Sequence, residues 1–321
     1  SSGPGQDTLH VFCFNAKDGS KRWERAMRAT GRTMSHNKTC VAANTPCSDG
    51  ERVFALFSSN DLFAFDLDGN LLWLRGLTFD YPNASNSLGM SQSPVVIGNT
   101  LVVQSENDAE SFAAGLDVAT GVNKWKLERP KAANWTSATL IKGVAALQSS
   151  KGILGVDPQT GKTVWNYEDG ASTIPSSVVS GDLLYAVSKG ITALAPEKGS
   201  VTQLWRNEKL NPGTASPLVL GDYIYVVNGA GVLIKASLNL DEATRDEWSR
   251  RLASVRLVLP GSDPEEPMPT CSTTEENAYY FSRKNYLTVC AGDFNAEDMR
   301  LTLAHEMGHA LDIDRSIAIF E

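Results

Sequence analysis

Two histidines and a glutamate near the end of the sequence have the spacing of a helical zinc site. They lie in LAHEMGHALD, residues 303–312, where His305 and His309 are four residues apart and Glu306 follows the first histidine. Residues i and i+4 are neighbours on one helix face, so the two imidazoles can share one Zn²⁺. Glu306 would take a proton from the zinc-bound water as general base. The pattern predicts a hydrolytic zinc site.

The third ligand of this predicted site is not evident. A catalytic zinc ion normally takes three protein ligands. Asp312 lies on the same helical face, but three ligands in line on one helix surround a metal poorly, so we expect Asp312 to orient His309. Glu321 would serve only if the chain turned sharply back. The alternatives are a third ligand outside this sequence, and an incomplete or inactive motif.

The segment that carries the motif predicts a small α+β unit over residues 237–321. Apolar residues at helical intervals predict a helix within 237–255, and the runs AYYF and YLTVC predict a hairpin over 278–290. Asn295 is a suitable N-cap for the motif helix. The stretch 278–315 resembles the active-site region of zinc metallopeptidases of the gluzincin-like class, and this resemblance implies peptide-bond hydrolysis.

A different pattern, an internal repeat, fills the first three quarters of the chain. A turn phrase ending in tryptophan recurs as NAKDGSKRW, DLDGNLLW, DVATGVNKW and DPQTGKTVW, with a looser copy, APEKGSVTQLW. A second phrase interleaves with it, as in GNTLVVQ, GDLLYAV and GDYIYVV. Asp or Asn before a glycine makes a tight turn, and the β-branched runs on both sides form strands. A period near 40 residues with about four strands per unit predicts a β-propeller, with tryptophan wedged between neighbouring units.

The repeat resembles the PQQ-like family of β-propellers. The matching residues include Asp117, Thr120, Gly121 and Trp125, and the phrases SPVVIGNTLVV and SPLVLGDYIYVV fit the family's opening strands. The resemblance implies a mainly β fold of about five visible four-stranded blades over residues 1–236, with an extracytoplasmic location. Family members are either quinoprotein dehydrogenases or cofactor-free scaffolds. No adjacent cysteine pair occurs, so PQQ is not expected, and the repeated aspartates are interpreted as turn caps.

Composition narrows the partners of the protein. The net charge is −8 and the sequence has no block of Lys and Arg, so we expect neither nucleic acid nor an anionic membrane surface as partner. No run of 18 apolar residues and no signal peptide are present, so no transmembrane segment is expected. The five cysteines allow two disulfides, Cys40–Cys47 and Cys271–Cys290, or five free thiols. The expected partner is a protein or peptide.

These patterns lead to one leading hypothesis and several alternatives. The leading hypothesis is a propeller that acts as a binding scaffold and carries a C-terminal zinc-metallopeptidase-like module. The first alternative is a non-enzymatic interaction or assembly scaffold with an incomplete or inactive zinc site. A quinoprotein oxidoreductase is a further alternative. The abrupt change of pattern near residue 236 also fits a truncated chain or a fusion of unrelated halves.

Overall fold

A computed structural model describes residues 6–37, 39–84 and 88–238, and the backbone of 256–257, 277–281 and 286–290. The chain divides into two compact units, Ser1–Ala236 and Ser237–Glu321. Within the described residues, no helix is long and apolar enough to cross a membrane.

The first unit is built almost entirely of short antiparallel strands. Its elements are β1 (Thr8–Phe14), β2 (Lys21–Arg28), β3 (Cys47–Ser48), β4 (Arg52–Leu56), β5 (Asp61–Asp66), β6 (Leu71–Gly76), α1 (Leu77–Asp80), β7 (Val95–Ile97), β8 (Thr100–Ser105), β9 (Phe112–Asp117), β10 (Asn123–Glu128), β11 (Thr139–Ile141), β12 (Val144–Ser149), β13 (Gly152–Val156), β14 (Thr163–Tyr167), β15 (Val178–Ser180), β16 (Leu183–Val187), β17 (Ile191–Glu197), β18 (Ser200–Asn207), β19 (Leu218–Leu220), β20 (Tyr223–Val227) and β21 (Leu233–Ser237).

These strands form successive sheets in which each strand pairs with its neighbour in sequence. Blades 2 to 5 are four-stranded: β3–β6, β7–β10, β11–β14 and β15–β18. Blade 1 has the two strands β1–β2, and blade 6 has the three strands β19–β21. The mainly β architecture of repeated blades is confirmed. The expected five four-stranded blades are corrected to four among the described residues, because the first tryptophan belongs to a two-stranded sheet.

The repeated aspartates cap the turns between the third and fourth strands of the blades, as predicted. The Asp117 carboxylate accepts hydrogen bonds from the backbone N–H groups of Ala119 and Thr120 at 3.1 and 3.0 Å. Gly121 N–H donates to the Asp117 carbonyl at 2.8 Å, and Gly121 has φ +71°, a conformation that side chains with a Cβ disfavour. Hydrogen bonding, first from the Thr120 hydroxyl, holds the pKa of Asp117 below its ordinary value.

The recurring tryptophan joins each of the first three blades to the blade that follows it. Trp73 Nε1 donates to the Val118 carbonyl of the following blade at 3.0 Å, and the Trp73 ring lies against Gly121 of the same turn. The equivalent bonds run from Trp23 to Leu67 at 2.9 Å and from Trp125 to Pro158 at 2.7 Å. The prediction of tryptophan between neighbouring blades is confirmed at these three joints. The joint from blade 4 to blade 5 differs, since Gly199 N–H donates to the Val164 carbonyl at 2.9 Å.

A small residue faces each tryptophan across its own sheet. The register pairs these residues as Cys13 with Trp23, Ala64 with Trp73, Gly115 with Trp125, Gly155 with Trp165 and Ala193 with Trp205. A β-bulge adjoins each pair, between the small residue and the turn. The small side chain leaves room for the indole. The β-bulge turns the outer strand so that the indole lies over the small residue opposite it.

The apolar core lies between successive blades rather than within any one of them. A single sheet exposes two faces, so stacking is what removes its apolar side chains from water. Each of the first four joints has its own cluster. Pairs drawn from the two blades at these joints are Leu9 and Phe63, Phe54 and Phe112, Val102 and Leu147, and Ile153 and Leu184.

In the second unit the described backbone forms one small sheet. Strands β22 (Arg256–Leu257) and β24 (Tyr286–Cys290) pair in parallel, and β23 (Asn277–Phe281) pairs antiparallel with β24. The predicted hairpin over 278–290 is confirmed. The predicted helices, including the one that carries the zinc motif, lie outside the described residues.

Candidate functional site

A relay of hydrogen bonds holds together the loops that connect one blade to the next. The N–H of Thr45 donates to Ser93 Oγ at 2.9 Å, that of Ser93 to Ser137 Oγ at 2.9 Å, and that of Ser137 to Ser176 Oγ at 2.9 Å. The N–H of Ser176 donates to Ser216 Oγ at 3.0 Å. These residues occupy one equivalent position in five successive loops, which fixes the loops relative to one another.

A cavity of about 540 Å³ lies beside this relay. Each of the five loops contributes to its wall the residue two positions before its relay member: Ala43, Ser91, Trp135, Ile174 and Thr214. Further lining residues come mainly from the first two loops, and they include Ser35, His36, Thr39, Cys40, Leu88, Gly89 and Met90. The repeat therefore builds the cavity by bringing one side chain from every junction to a single place.

The lining of this cavity is mostly apolar. Among the described lining residues there is no Lys, Arg, Asp or Glu, and the ionisable side chains are His36 and Cys40. Trp135 Nε1 donates to the Gly89 carbonyl at 2.9 Å, so the indole offers its apolar ring to the cavity. PQQ carries several carboxylates, and the described lining supplies no lysine or arginine to pair with them, so these residues do not fit that cofactor.

A buried network of charged and polar side chains fixes the backbone next to Trp135. Arg129 Nε lies 2.6 Å from Glu106 Oε1, and Asn134 Nδ2 donates to Glu106 Oε2 at 2.9 Å. Asn134 also donates to the Gln148 carbonyl at 2.8 Å, which links blade 3 to blade 4 next to Trp135. Burial raises the pKa of Glu106, and Arg129 offsets part of that rise. The network fixes the backbone that carries the largest side chain of the cavity wall.

A second cavity, of about 700 Å³, is polar. Its wall includes Asp169, which Lys189 Nζ and Arg206 Nη2 approach at 2.6 and 2.5 Å. The hydrogen bond from Lys189, followed by that from Arg206, holds the pKa of the Asp169 carboxyl below its ordinary value. The Asp169 carboxylate is already engaged by these two cationic side chains, so the first cavity is the stronger candidate for binding a partner.

The residues that the sequence singled out for zinc have no described position. His305, Glu306, His309 and Asp312 lie outside the described residues. Within the described part of the chain, no group of three or more His, Cys, Asp and Glu side chains is placed to hold a metal ion.

The cysteines and the other two histidines have described positions. Cys13, Cys40 and Cys47 are free thiols, so the Cys40–Cys47 disulfide is not formed, while Cys271 lies outside the described residues. His10 pairs with Glu24 at 3.0 Å, and His36 lines the apolar cavity.

Sequence reasoning missed the five wall residues at the equivalent loop position. They differ in type, so no repeated letter marks them. The signal that could have found them is the serine that precedes the opening strand of several blades, as in SPVV and SPLV, since the wall residue stands two positions before it.

Comparison with known proteins defines the family. The family model described as outer membrane protein assembly factor BamB matches residues 10–239. Among solved structures, BamB from Moraxella catarrhalis is similar with a TM-score of 0.50 and 18% identity, over 71% of this chain and 64% of that chain. A chain of the mitotic checkpoint complex gives a TM-score of 0.53 and 10% identity, over 72% of this chain and 71% of that chain.

These identities show likeness of fold alone, and this chain spans less than two thirds of the length of the Moraxella protein. No curated protein matches. The family match covers well over half of the sequence, in the same residues that form the described blades. The chain therefore belongs to the family of the outer membrane protein assembly factor BamB.

Proposed function

We propose that the protein is a binding scaffold for other polypeptides in outer membrane protein assembly, and that it acts outside the cytoplasm. The observation that carries the proposal is the apolar cavity, to which five successive blade junctions each supply one wall residue. A cavity of this size with apolar walls and few polar groups is typical of binding sites. The family's description supplies the process, outer membrane protein assembly.

Binding accounts for the chemistry of this wall better than catalysis does. The Ser93 and Ser137 hydroxyls that lie beside the cavity already accept backbone hydrogen bonds. The relay and the Glu106 network hold the wall in place before any partner arrives. A preformed surface loses little conformational freedom on binding, which is what a scaffold requires.

Site-specific photo-crosslinking tests this proposal. A benzophenone side chain replaces Ile174, which lies at the cavity and is 47% exposed, or Val122, which lies on the turn before β10 and is 62% exposed. The purified variants are irradiated with a solubilised outer membrane fraction of the host. We expect adducts that contain outer membrane assembly proteins from position 174 and not from position 122. Equal adducts from both positions, or none from 174, would contradict a scaffold that works through this cavity.

As a second proposal, we propose that His305 and His309 bind Zn²⁺ with Glu306 as general base and Asp312 orienting His309. The hairpin β23–β24 favours it, since a strand is expected shortly before the helix of such a site. Metal analysis of the wild type and of His305→Ala tests it. One zinc equivalent lost on substitution supports the site, while an absence of zinc in the wild type would refute it. Peptidase activity lost in Glu306→Gln with zinc retained would establish catalysis.

A further inference from the structure

We infer that the apolar cavity receives an aromatic side chain that projects from a partner polypeptide. This inference rests on the proposed scaffold function and names the chemistry of the partner at that site. The size of the cavity is the first argument. About 540 Å³ lies within the range of roughly 300–1,000 Å³ that is usual for specific pockets. One or two large side chains fit such a space, whereas a folded domain does not.

The charge of the lining is the second argument. The described wall has no carboxylate, ammonium or guanidinium group. A charged side chain placed there would lose its hydration and gain no counter-ion, and such burial is strongly unfavourable. The described part of the wall therefore offers no ion pair to Lys, Arg, Asp or Glu side chains and favours an uncharged, apolar one.

The hydrogen-bonding state of the wall is the third argument. Trp135 Nε1 is bound to the Gly89 carbonyl at 2.9 Å, and Met90 N–H donates to Ser58 Oγ at 2.8 Å. The Ser58 hydroxyl in turn donates to the Met34 carbonyl at 3.1 Å. A ligand thus gains little from polar contacts at these atoms, and the apolar part of the lining is what they leave for contact. An indole face together with a thioether favours an aromatic ring, through ring stacking and sulfur–aromatic contact.

The exposed rim of the cavity favours a polypeptide over a small molecule as the occupant. The lining residues Leu88 and Ile174 are 46% and 47% exposed, and Met34, which precedes the lining residue Ser35, is 43% exposed, so part of the apolar surface faces solvent. A small aromatic ligand would fill the interior and leave this rim in water. Residues that flank an inserted side chain would cover the rim, and exposed apolar patches of this kind mark sites of protein interaction. The occupant is therefore part of a polypeptide.

Methyl NMR on the full chain tests the inference with defined probes. The methionine methyl groups are labelled with ¹³C, and the protein is titrated with acetyl-Gly-Phe-Gly-amide or with acetyl-Gly-Lys-Gly-amide. We expect the phenylalanine peptide to shift the Met90 and Met34 signals and to bind at least tenfold more tightly than the lysine peptide. Met27, which packs against the core between blades 1 and 2, serves as the internal control and should not move.

A matched pair of variants locates the effect. Ser91→Trp fills the cavity from one wall and should weaken binding of the phenylalanine peptide at least tenfold. Ser200→Trp adds the same side chain at an exposed site in β18 and should leave binding unchanged. Unchanged binding by Ser91→Trp, or equal shifts at Met90 and Met27, would overturn the inference. If toluene binds as tightly as the phenylalanine peptide, the inference that the occupant is part of a polypeptide is overturned.

The two proposals fail in different ways. If the peptide does not bind while Ile174 still crosslinks to assembly proteins, the aromatic occupant is wrong and the scaffold function stands. If crosslinking also fails, the scaffold function at this cavity falls with it.

Discussion

Replacing Gly121 with alanine should destabilise the fold by more than the strain of its turn. At φ +71° an alanine adopts a left-handed conformation that costs about 1–2 kcal/mol. The added Cβ would also lie 2.8 Å from the Trp73 ring, which packs there from the preceding blade. Overpacking of this kind costs about 1–3 kcal/mol more. We therefore expect a total loss of about 2–5 kcal/mol in the free energy of unfolding, from these two contributions.

The chain supplies a matched control at Gly19. This glycine occupies the equivalent turn of blade 1 with φ +70°, yet nothing lies within 4 Å of a Cβ built on it. Gly19→Ala should therefore cost only the turn strain, about 1–2 kcal/mol. Urea unfolding followed by circular dichroism compares the two variants at constant m-value.

A double-mutant cycle then isolates the joint itself. Trp73→Ala removes the ring that the new Cβ would meet, so in that background Gly121→Ala should cost no more than Gly19→Ala does. The coupling free energy should reach about 1–3 kcal/mol, the size of the overpacking contribution. If Gly121→Ala and Gly19→Ala cost the same in the wild-type background, and no coupling appears, the tryptophan is not the contact that makes this glycine necessary.

Burial raises the pKa of Glu106 above its ordinary value of 4.5, so folding favours the protonated carboxyl. The free energy of unfolding should therefore fall as pH rises from about 4.5 through the raised pKa. The urea midpoint of E106Q should not show this fall. If the midpoints of E106Q and of the wild type change with pH in parallel, Glu106 is not the group responsible. Burial, the largest cause, raises the pKa of Cys47 to about 12, so iodoacetamide at pH 8 should alkylate exposed Cys40 and spare Cys47 until denaturation, as mass spectrometry of the peptides after proteolysis would show. Equal labelling of both would contradict this. Ser137→Ala removes the acceptor of the Ser93 N–H and should cost about 1–3 kcal/mol in urea unfolding, whereas an unchanged midpoint would leave the relay without energetic weight.

The repeated parts of the fold could be predicted because each unit uses the same local chemistry. Gly121 follows Asp117 by four residues in a turn that requires a capping side chain and a positive φ, and Asp157 with Gly161 repeats that spacing. The number of complete blades was harder to predict from the sequence. Counting tryptophans counts outer strands, and Trp23 lies on the outer strand of a sheet that has two strands.

The candidate site could not be predicted in the same way. Its wall depends on where loops converge, and the wall residues, such as Ala43, Trp135 and Thr214, share a position without sharing a residue type. A repeat constrains the residues that hold blades together, and the residues that face a partner are free to differ. The zinc motif shows the opposite case, since a short local pattern is easily recognised while His305 and its neighbours lie outside the described residues.

The joints between blades also have a direction. Trp73 reaches forward to the turn of the next blade, and Trp23 and Trp125 reach forward in the same sense. Each such blade therefore presents an indole on one side and a turn carbonyl with its glycine on the other, like a monomer in a head-to-tail polymer. Inserting or deleting one whole unit at such a joint would leave every remaining junction with a chemically correct partner. Blade number in this architecture can thus change in whole steps during evolution without a newly designed interface.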